Sequence, residues 1–423
     1  MLEQKIMWFA FNTRIIVILL QAVSNILIPD HNANVFISPE DSTLRKTIAD
    51  KVVDNLLGGM KRWDAQYFIH IAQYGYTYEN CLAFFPFFPL IVRYVAYSLN
   101  SVLGSLFNFH SMLLISATIV NLVLFIKSAD VLHRLSLRIL RSESKAYKSV
   151  ILYCVNPASI FFSAPYSETL FACVSFYTML KCTENETLRF ANIDMMSGLP
   201  AGFSLITRSN GSLNLGFIFY TLKCRIILPL LLLPLFISCV ALFLTVIIAL
   251  LPFLLVQTYN YFKYCIPNEH NLPEFIANLE YVLPGSAESP WCNSSIPLSY
   301  SYIQSHYWDV GLFKYYQMKQ IPNFLLASPI IFLILYHCIL YMKNNLRLLP
   351  YKPRQYYKGF GANDPAIFVY VVHAVGLTVF CIVFVHIQVS TRLLASASPV
   401  LYWICAIDNM YSTVLFSNFY PWT

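Results

Sequence analysis

Charge is scarce in this chain, and its apolar residues come in runs long enough to cross a bilayer. Asp, Glu, Lys and Arg make up 12% of the 423 residues, where a soluble domain carries about 25%. Apolar residues make up 57%. A soluble globule cannot hide that much apolar surface, because polar groups must cover its outside. Disorder is excluded as well, since it needs low hydrophobicity and high charge. The apolar residues cluster in runs and do not alternate with polar ones, so membrane helices fit and an outer-membrane barrel does not. The chain reads as an all-α polytopic membrane protein, with all of its length in one integral domain.

The runs are Trp8–Ile28, Ala83–Val102, His110–Ile126, Ser149–Ser163, Tyr166–Leu180, Leu199–Leu222, Ile226–Val256, Asn323–Met342, Ala366–Ile387 and Ala395–Phe416. They predict roughly 8 to 10 transmembrane helices. Ser149–Ser163 and Tyr166–Leu180 are either two short helices or one helix kinked at Pro165. Trp8–Ile28 carries Arg14 and no small-residue cleavage site follows it, so it reads as a signal anchor with a cytosolic N-terminus. Lys343–Lys358 holds five cations and no acid, which places it in the cytosol. Lys127–Lys148 holds six Lys or Arg against Asp130 and Glu143. Charge puts it in the cytosol too, whereas counting every run as a span puts it on the other side.

Three loops should then face away from the cytosol: Pro29–Leu82, Gln257–Pro322 and the short turn Gln388–Leu394. Glycosylation sequons at Asn293 and Asn185 agree with this placement. Asn210-Gly211-Ser212 matches the same pattern but lies within an apolar run, where it is inaccessible. The 11 cysteines include no C-x-x-C pair, so neither a zinc site nor a redox motif is indicated. One disulfide among Cys81, Cys265 and Cys292 is open to the chain if their loops face an oxidising compartment. The net charge of +7 sorts into loops; it speaks for topology and against nucleic-acid binding.

Aromatics reach 16%, more than lipid contact requires, and they concentrate in the two long loops. In the first, the spacing from Trp63 to Tyr74 predicts a short interfacial helix with Trp63, Tyr67 and Ile71 on one face. Asp64 falls in its first turn, either as a helix cap or as a catalytic carboxylate at the bilayer surface. The second loop brings His306, Trp308, Lys314, Lys319, Gln320 and Asn323. Its aromatics could stack on sugar or sit at the headgroup belt. Its lysines are either anchors or the partners of an anionic ligand such as a lipid phosphate. The last turn offers His386, Gln388 and Arg392. Arg208 and Asn210 lie within an apolar run, where charge is costly. Arg208 is therefore either functional or neutralised by an interior acid such as Glu168.

These residues carry a resemblance. Arg62-Trp63-Asp64-Ala65-Gln66-Tyr67-Phe68, Gly75-Tyr76-Thr77-Tyr78-Glu79 and Ala83-Phe84-Phe85-Pro86 resemble the GPI mannosyltransferase 2 family. The likeness continues in Asn156-Pro157-Ala158-Ser159-Ile160-Phe161, Tyr166-Ser167-Glu168 and Arg208-Ser209-Asn210-Gly211. It recurs in Gln304-Ser305-His306-Tyr307-Trp308, Phe313-Lys314-Tyr315-Tyr316, Lys319–Ala327 and His386–Arg392. The resemblance implies a GT-C-type glycosyltransferase of the endoplasmic reticulum membrane, with its active site facing the lumen. The donor would be dolichyl phosphate mannose and the acceptor a mannosyl-glucosaminyl-acyl-phosphatidylinositol, joined in α1,6 linkage.

By the same resemblance Asp64 would be the catalytic base. The substrate-binding set would be Arg62, Trp63, Gln66, Tyr78, Glu79, Arg208, Asn210, His306, Trp308, Lys314, Lys319, Gln320, Asn323, His386, Gln388 and Arg392. Wider relatives carry paired acids in the first loop, whereas here Glu79 stands fifteen residues after Asp64. A β-linked donor giving an α-linked product means inversion, which needs one carboxylate to take a proton. The phosphate leaves as an anion without an acid, unlike the leaving group of a glycosidase. No cofactor or metal is expected, since the lumenal loops have no D-x-D pair. Membrane lipids and an accessory membrane subunit are the remaining expected partners.

Two rival readings share the spans and buried charges. A transporter or scramblase predicts internal repeats and polar residues along its helices, and neither is found here. A non-catalytic membrane subunit would have no use for Asp64.

Overall fold

In a bilayer every backbone N–H and C=O needs a partner within its own segment, so long apolar runs become helices. The computed structural model describes residues 2–28, 35–39, 41, 46–185, 198–226, 232–268, 272–277, 279, 281–345 and 367–408, and among them there is no strand. The helices are α1 (Leu2–Leu27), α2 (Ile48–Leu57), α3 (Asp64–Tyr74), α4 (Phe87–Leu103), α5 (Phe109–Leu140), α6 (Glu143–Cys154), α7 (Glu168–Asn185) and α8 (Gly198–Leu205). They continue with α9 (Leu215–Ile226), α10 (Leu232–Cys265), α11 (Glu274–Ala277), α12 (Ser299–Trp308), α13 (Ile321–Asn345), α14 (Phe368–Val383), α15 (Ser390–Ala397) and α16 (Pro399–Asp408).

Four of the described helices have stretches long and apolar enough to cross a membrane: Leu2–Leu27, Phe109–Leu140, Cys239–Cys265 and Met318–Lys343. α4 and α14 are shorter apolar helices. Leu19, Leu20 and Val23 of α1, Phe243, Ile247 and Leu254 of α10, and Phe332, Tyr336 and Ile339 of α13 are exposed. Apolar side chains on the outside of long helices are what lipid contact requires, and the chain is a multi-pass membrane protein. Its inner core runs through α5, α6, α7, α14 and α16, with Phe125, Tyr153, Phe162, Phe176 and Trp403 all buried.

The helices depart from the sequence runs where polar residues interrupt them. Ser149–Ser163 and Tyr166–Leu180 are two separate helices, α6 and α7, and not one kinked at Pro165. The chain between them turns through Asn156, whose Nδ2 donates to Tyr153 O at 2.7 Å and whose Oδ1 accepts from Ala158 N at 2.9 Å. Leu199–Leu222 is not one span either. It breaks after Leu205, runs through the 3₁₀ turn Ser209–Asn214 and resumes as α9. Broken backbone at membrane depth is tolerated where protein surrounds it or a cavity lies beside it. α8 packs against α10 so closely that a Cβ on Gly202 would stand 2.9 Å from Ala249 O, the close approach small residues permit in membranes.

α5 resolves the conflict over Lys127–Lys148. It has 32 residues, about 48 Å of helix, well beyond the roughly 30 Å of a hydrocarbon core. Its start is pinned to the first loop: Asn108 N donates to Asp50 Oδ1 at 2.9 Å, and His110 Nδ1 lies 3.0 Å from Gln73 Oε1. Further along, Phe125 lies under the Arg14 guanidinium of α1 at 4.0 Å. α5 therefore runs antiparallel to α1, and its basic end lies toward the N-terminus of α1. The count went wrong at Ala83–Val102. α4 does not carry the chain across; Phe88, Val92 and Ala96 fold back onto Met112, Leu113 and Ala117 of α5 and Phe68 and Ala72 of α3.

Arg14, inside α1, faces the protein. Its Nη1 donates to Ser159 O at 2.7 Å and its Nη2 to Cys154 O at 2.8 Å, so it satisfies carbonyls freed by the break after α6. Of the three loop cysteines, Cys265 and Cys292 form a disulfide and Cys81 is free and buried. The bond ties the end of α10 to the short turn Pro290–Asn293. α7 ends with Glu184 3.9 Å from Arg134 of α5, at the end of the molecule away from Asp64. Asn185 therefore does not share a side with the first loop as the sequon reading required. Glu186 and Thr187 of that sequon, and Lys343–Lys358 apart from Lys343–Asn345, lie outside the described residues.

Candidate active site

Asp64 opens α3, but Trp63 does not belong to the helix. Trp63 has φ 56 and ψ −125, a left-handed conformation that a non-glycine residue adopts at a cost of about 1–3 kcal/mol. Ala65 N donates to Arg62 O at 3.2 Å across this reversal. The predicted face of Trp63, Tyr67 and Ile71 is therefore incomplete: Trp63 is 47% exposed, while Ala65, Phe68, Ile69 and Ala72 carry the burial. The turn sets Asp64 at the helix start inside the molecule. Met60, Ala65, Ala164 and Tyr166 pack together there, with Ile18 of α1 against them. Ile18 is about 14 Å short of the end of α1. The first loop thus dips along α1 to membrane depth.

Three other charges cluster with Asp64, one of them in direct contact. Arg392 of α15 places Nη1 2.6 Å from Asp64 Oδ2. Its Nε lies 3.6 Å from Glu168 Oε1 at the start of α7. Arg208, leading into the turn Ser209–Asn214, brings Nη1 to 2.5 Å from the same Glu168 oxygen. Phe161 and Tyr166 present ring faces to the Arg392 guanidinium at 5.2 and 5.6 Å, a cation–π arrangement. Tyr166 is itself fixed, with its hydroxyl donating to Arg62 O at 2.9 Å. Burial alone would lower the pKa of Arg392, but Asp64 and Glu168 outweigh burial and hold it above its ordinary value.

The cluster is charged yet incompletely bonded. Glu168 is fully buried; Arg208 serves its Oε1, and its Oε2 has no donor. Arg392 Nε also lacks a partner, and so do both polar atoms of Asn210, which is 6% exposed. Buried polar groups left open are rare and ask for a ligand or water. The turn that carries Arg208 and Asn210 is held hard against α8: a Cβ on Gly211 would fall 2.4 Å from the Ser204 carbonyl. Asn214 Nδ2 ties it to Ser175 of α7 at 2.9 Å.

The other predicted residues lie elsewhere. Glu79 is 1% exposed. It accepts from Trp291 Nε1 at 2.7 Å, from the Tyr307 hydroxyl at 2.9 Å and from the Ser289 hydroxyl. Burial and Glu79 together raise the Tyr307 pKa, so its hydroxyl stays a donor. This knot joins the two long loops and leaves Glu79 out of the Asp64 cluster. Tyr78 donates to Ile276 O at 2.9 Å, and Gln66 Nε2 to Lys61 O at 2.8 Å. Arg62 Nη2 donates to Asn25 Oδ1 at 2.8 Å. All three staple the first loop. Beside them, burial lowers the His70 pKa to about 3, and the ring bonds Ser38 and Thr77.

Gln320, Asn323 and Gln388 form a second polar group around the Tyr315 hydroxyl, with bonds of 2.6, 2.9 and 3.3 Å. His386 stacks on Tyr315 at 4.6 Å. Trp308 packs edge-on to Tyr67 and Phe84, and His306 stacks on Tyr302 at the surface. Lys314 is exposed and paired with Asp309 at 3.0 Å, and Lys319 is exposed on the turn Met318–Gln320. Asn293 is exposed and Asn210 is not, as the sequon reading expects. No group of three His, Cys, Asp or Glu side chains that could hold a metal occurs among the described residues.

From sequence, Glu168 stood as a charged group at bilayer depth, functional by default or else the neutralising partner of Arg208. Its place between two guanidiniums makes it part of the site. The signal was an acid at bilayer depth, just after the polar Tyr166-Ser167 step.

Residues 3–413 match the profile of the mannosyltransferase (PIG-V) family. A Drosophila melanogaster protein named GPI mannosyltransferase 2 is 38% identical over 455 residues, with 100% of both chains covered. Human GPI alpha-1,6-mannosyltransferase 2 is 36% identical over 429 residues, covering 96% of this chain and 83% of the human one. A Gibberella zeae GPI mannosyltransferase 2 is 29% identical over 385 residues, covering 85% and 82%. No solved structure matches.

Proposed function

This chain belongs to the mannosyltransferase (PIG-V) family, and we propose that it adds the second mannose of the glycosylphosphatidylinositol core, in α1,6 linkage. The donor is dolichyl phosphate mannose and the acceptor a one-mannose glucosaminyl-acyl-phosphatidylinositol. The observation that carries this is the Asp64–Arg392 pair at 2.6 Å, recessed to membrane depth beside Ile18. A lipid-linked phosphate lies at that depth, and a soluble sugar nucleotide has no reason to.

The acceptor's primary hydroxyl oxygen attacks C1 of the donor mannose. Its proton passes to Asp64. The C1–O bond to phosphate breaks, and its electron pair leaves with dolichyl phosphate, so the β-linkage becomes α. Arg392 and Arg208 face the leaving phosphate, where charge-assisted N–H donors stabilise developing negative charge. They are preferred over Lys314 and Lys319 because those two are exposed and solvated. The leaving group departs as an anion, and the reading routes no step through a metal.

On this reading the Asp64 side faces the lumen of the endoplasmic reticulum in a GT-C-type arrangement. Two features support it: the basic end of α5 lies on the far side, as positive-inside asymmetry asks, and the Cys265–Cys292 disulfide lies on the near side. The test is lipid analysis of cells lacking the chain. The one-mannose intermediate should accumulate, and the wild-type chain but not D64N should clear it. A different accumulated lipid would overturn the reading.

A further inference from the structure

Asp64 Oδ2 is not open to an acceptor hydroxyl while the Arg392 guanidinium sits on it at 2.6 Å, because the guanidinium N–H occupies the oxygen that would take the proton. The cation must leave before the proton is taken. Moving a buried guanidinium is costly unless it keeps a counter-charge. One is already in place. Glu168 Oε1 lies 3.6 Å from Arg392 Nε, just outside hydrogen-bond range, while Asp64 is held at Nη1. Glu168 is fully buried; Arg208 Nη1 serves its Oε1 at 2.5 Å, its Oε2 has no donor, and the Arg392 Nε–H has no hydrogen-bond acceptor. The Phe161 and Tyr166 rings flank the guanidinium. A small displacement of Arg392 away from Asp64 would complete bonds that are now open.

On the reading that Asp64 is the base and Arg392 meets the donor phosphate, we propose that Glu168 is a positioning residue. It retains Arg392 when the phosphate draws the guanidinium off Asp64, so the base is released only when the donor is bound. The charges support this order. The four groups sum to zero in the free protein, and a phosphodiester adds one negative charge. Two cations then serve Glu168 and the phosphate, which leaves Asp64 as the carboxylate without a partner.

Release of the base has a signature in the split between kcat and the donor KM. The measurement uses the full-length chain in detergent with dolichyl phosphate mannose and saturating one-mannose acceptor. In E168Q, Arg392 has only Asp64 left among the carboxylates. Then kcat should fall about tenfold or more while the donor KM does not rise. E168D keeps the charge and should hold kcat within about threefold of the wild type.

A merely structural Glu168 would lower the amount of folded protein and leave kcat per folded molecule unchanged. If E168Q does not fold, E168Q/R208Q decides, because it removes the Glu168–Arg208 pair without leaving a buried charge alone, and its kcat should lie about tenfold or more below that of R208Q. An unchanged kcat per folded molecule in E168Q, or in E168Q/R208Q against R208Q, would overturn the proposal while leaving mannose transfer intact. A wild-type chain that transfers no mannose would instead remove the reading on which it rests.

Discussion

Two acids of the first loop, Asp64 and Glu79, end in opposite situations. Glu79 is closed off: three neutral donors from the second loop satisfy it, and it is 1% exposed. Asp64 is held on Oδ2 by one guanidinium, and its side chain is 30% exposed. A carboxylate saturated by fixed neutral donors can only hold loops together. One held by a single cation that has a second carboxylate within reach can be released and used. Burial and charge do not separate structural acids from chemical ones here; the identity and mobility of the partner do.

The largest effect expected is on Asp64. D64N should lower transfer by about 10³-fold or more with expression unchanged, while E79Q should retain the chemistry per folded molecule. If transfer assays rank these two the other way, the comparison collapses. Next, R392A should raise the donor KM about tenfold or more, whereas K314A and K319A should stay within about twofold, as exposed charges do. Steady-state kinetics across a donor titration separates them.

Stability readouts sharpen the Glu79 side. E79Q should cost about 2 kcal/mol through the buried hydroxyl and indole donors it leaves poorly paired, seen as a lower melting midpoint in detergent. C292S opens a bridge with a sequence separation of 27 and should cost about 3–4 kcal/mol, again with the chemistry preserved. The smallest effect is a mass shift at Asn293 on deglycosidase treatment, with none at Asn185, because the two lie at opposite ends of the molecule. A shift at Asn185 would break the antiparallel arrangement of α1, α5 and α7.

The sequence went some way toward this. Asp64, Arg208 and Arg392 could each be singled out, because charges at bilayer depth are expensive and so conspicuous. Which of Arg208, Arg392, Lys314 and Lys319 meets the acid could not be read, since they stand far apart in the chain and all carry the same charge. Glu168 was visible as an acid at bilayer depth and its pairing with Arg208 is found, but its nearness to Arg392 could not be read, because the two stand far apart in the chain. Asn156 and the Thr207–Gly211 step mark the two helix breaks, yet a polar interruption in an apolar run looks the same whether the helix bends, ends or continues. Trp63 was counted as helical because spacing says nothing about a residue forced to positive φ.

What the sequence determined by itself was the solvent and the material. Apolar content in runs demands a bilayer, the bilayer demands helices, and scarce charges must lie where something compensates them. These follow from transfer free energies that are local and additive along the chain. What only the tertiary structure decided was which side α5 ends on, and which cation sits on Asp64. α4 folding back to leave the first half of α5 as the return path, and four charges from four separate elements converging at the level of Ile18, depend on packing between distant segments. Pairing energies fall steeply with distance. A site built from such pairs is therefore fixed only when the helices that carry them have docked.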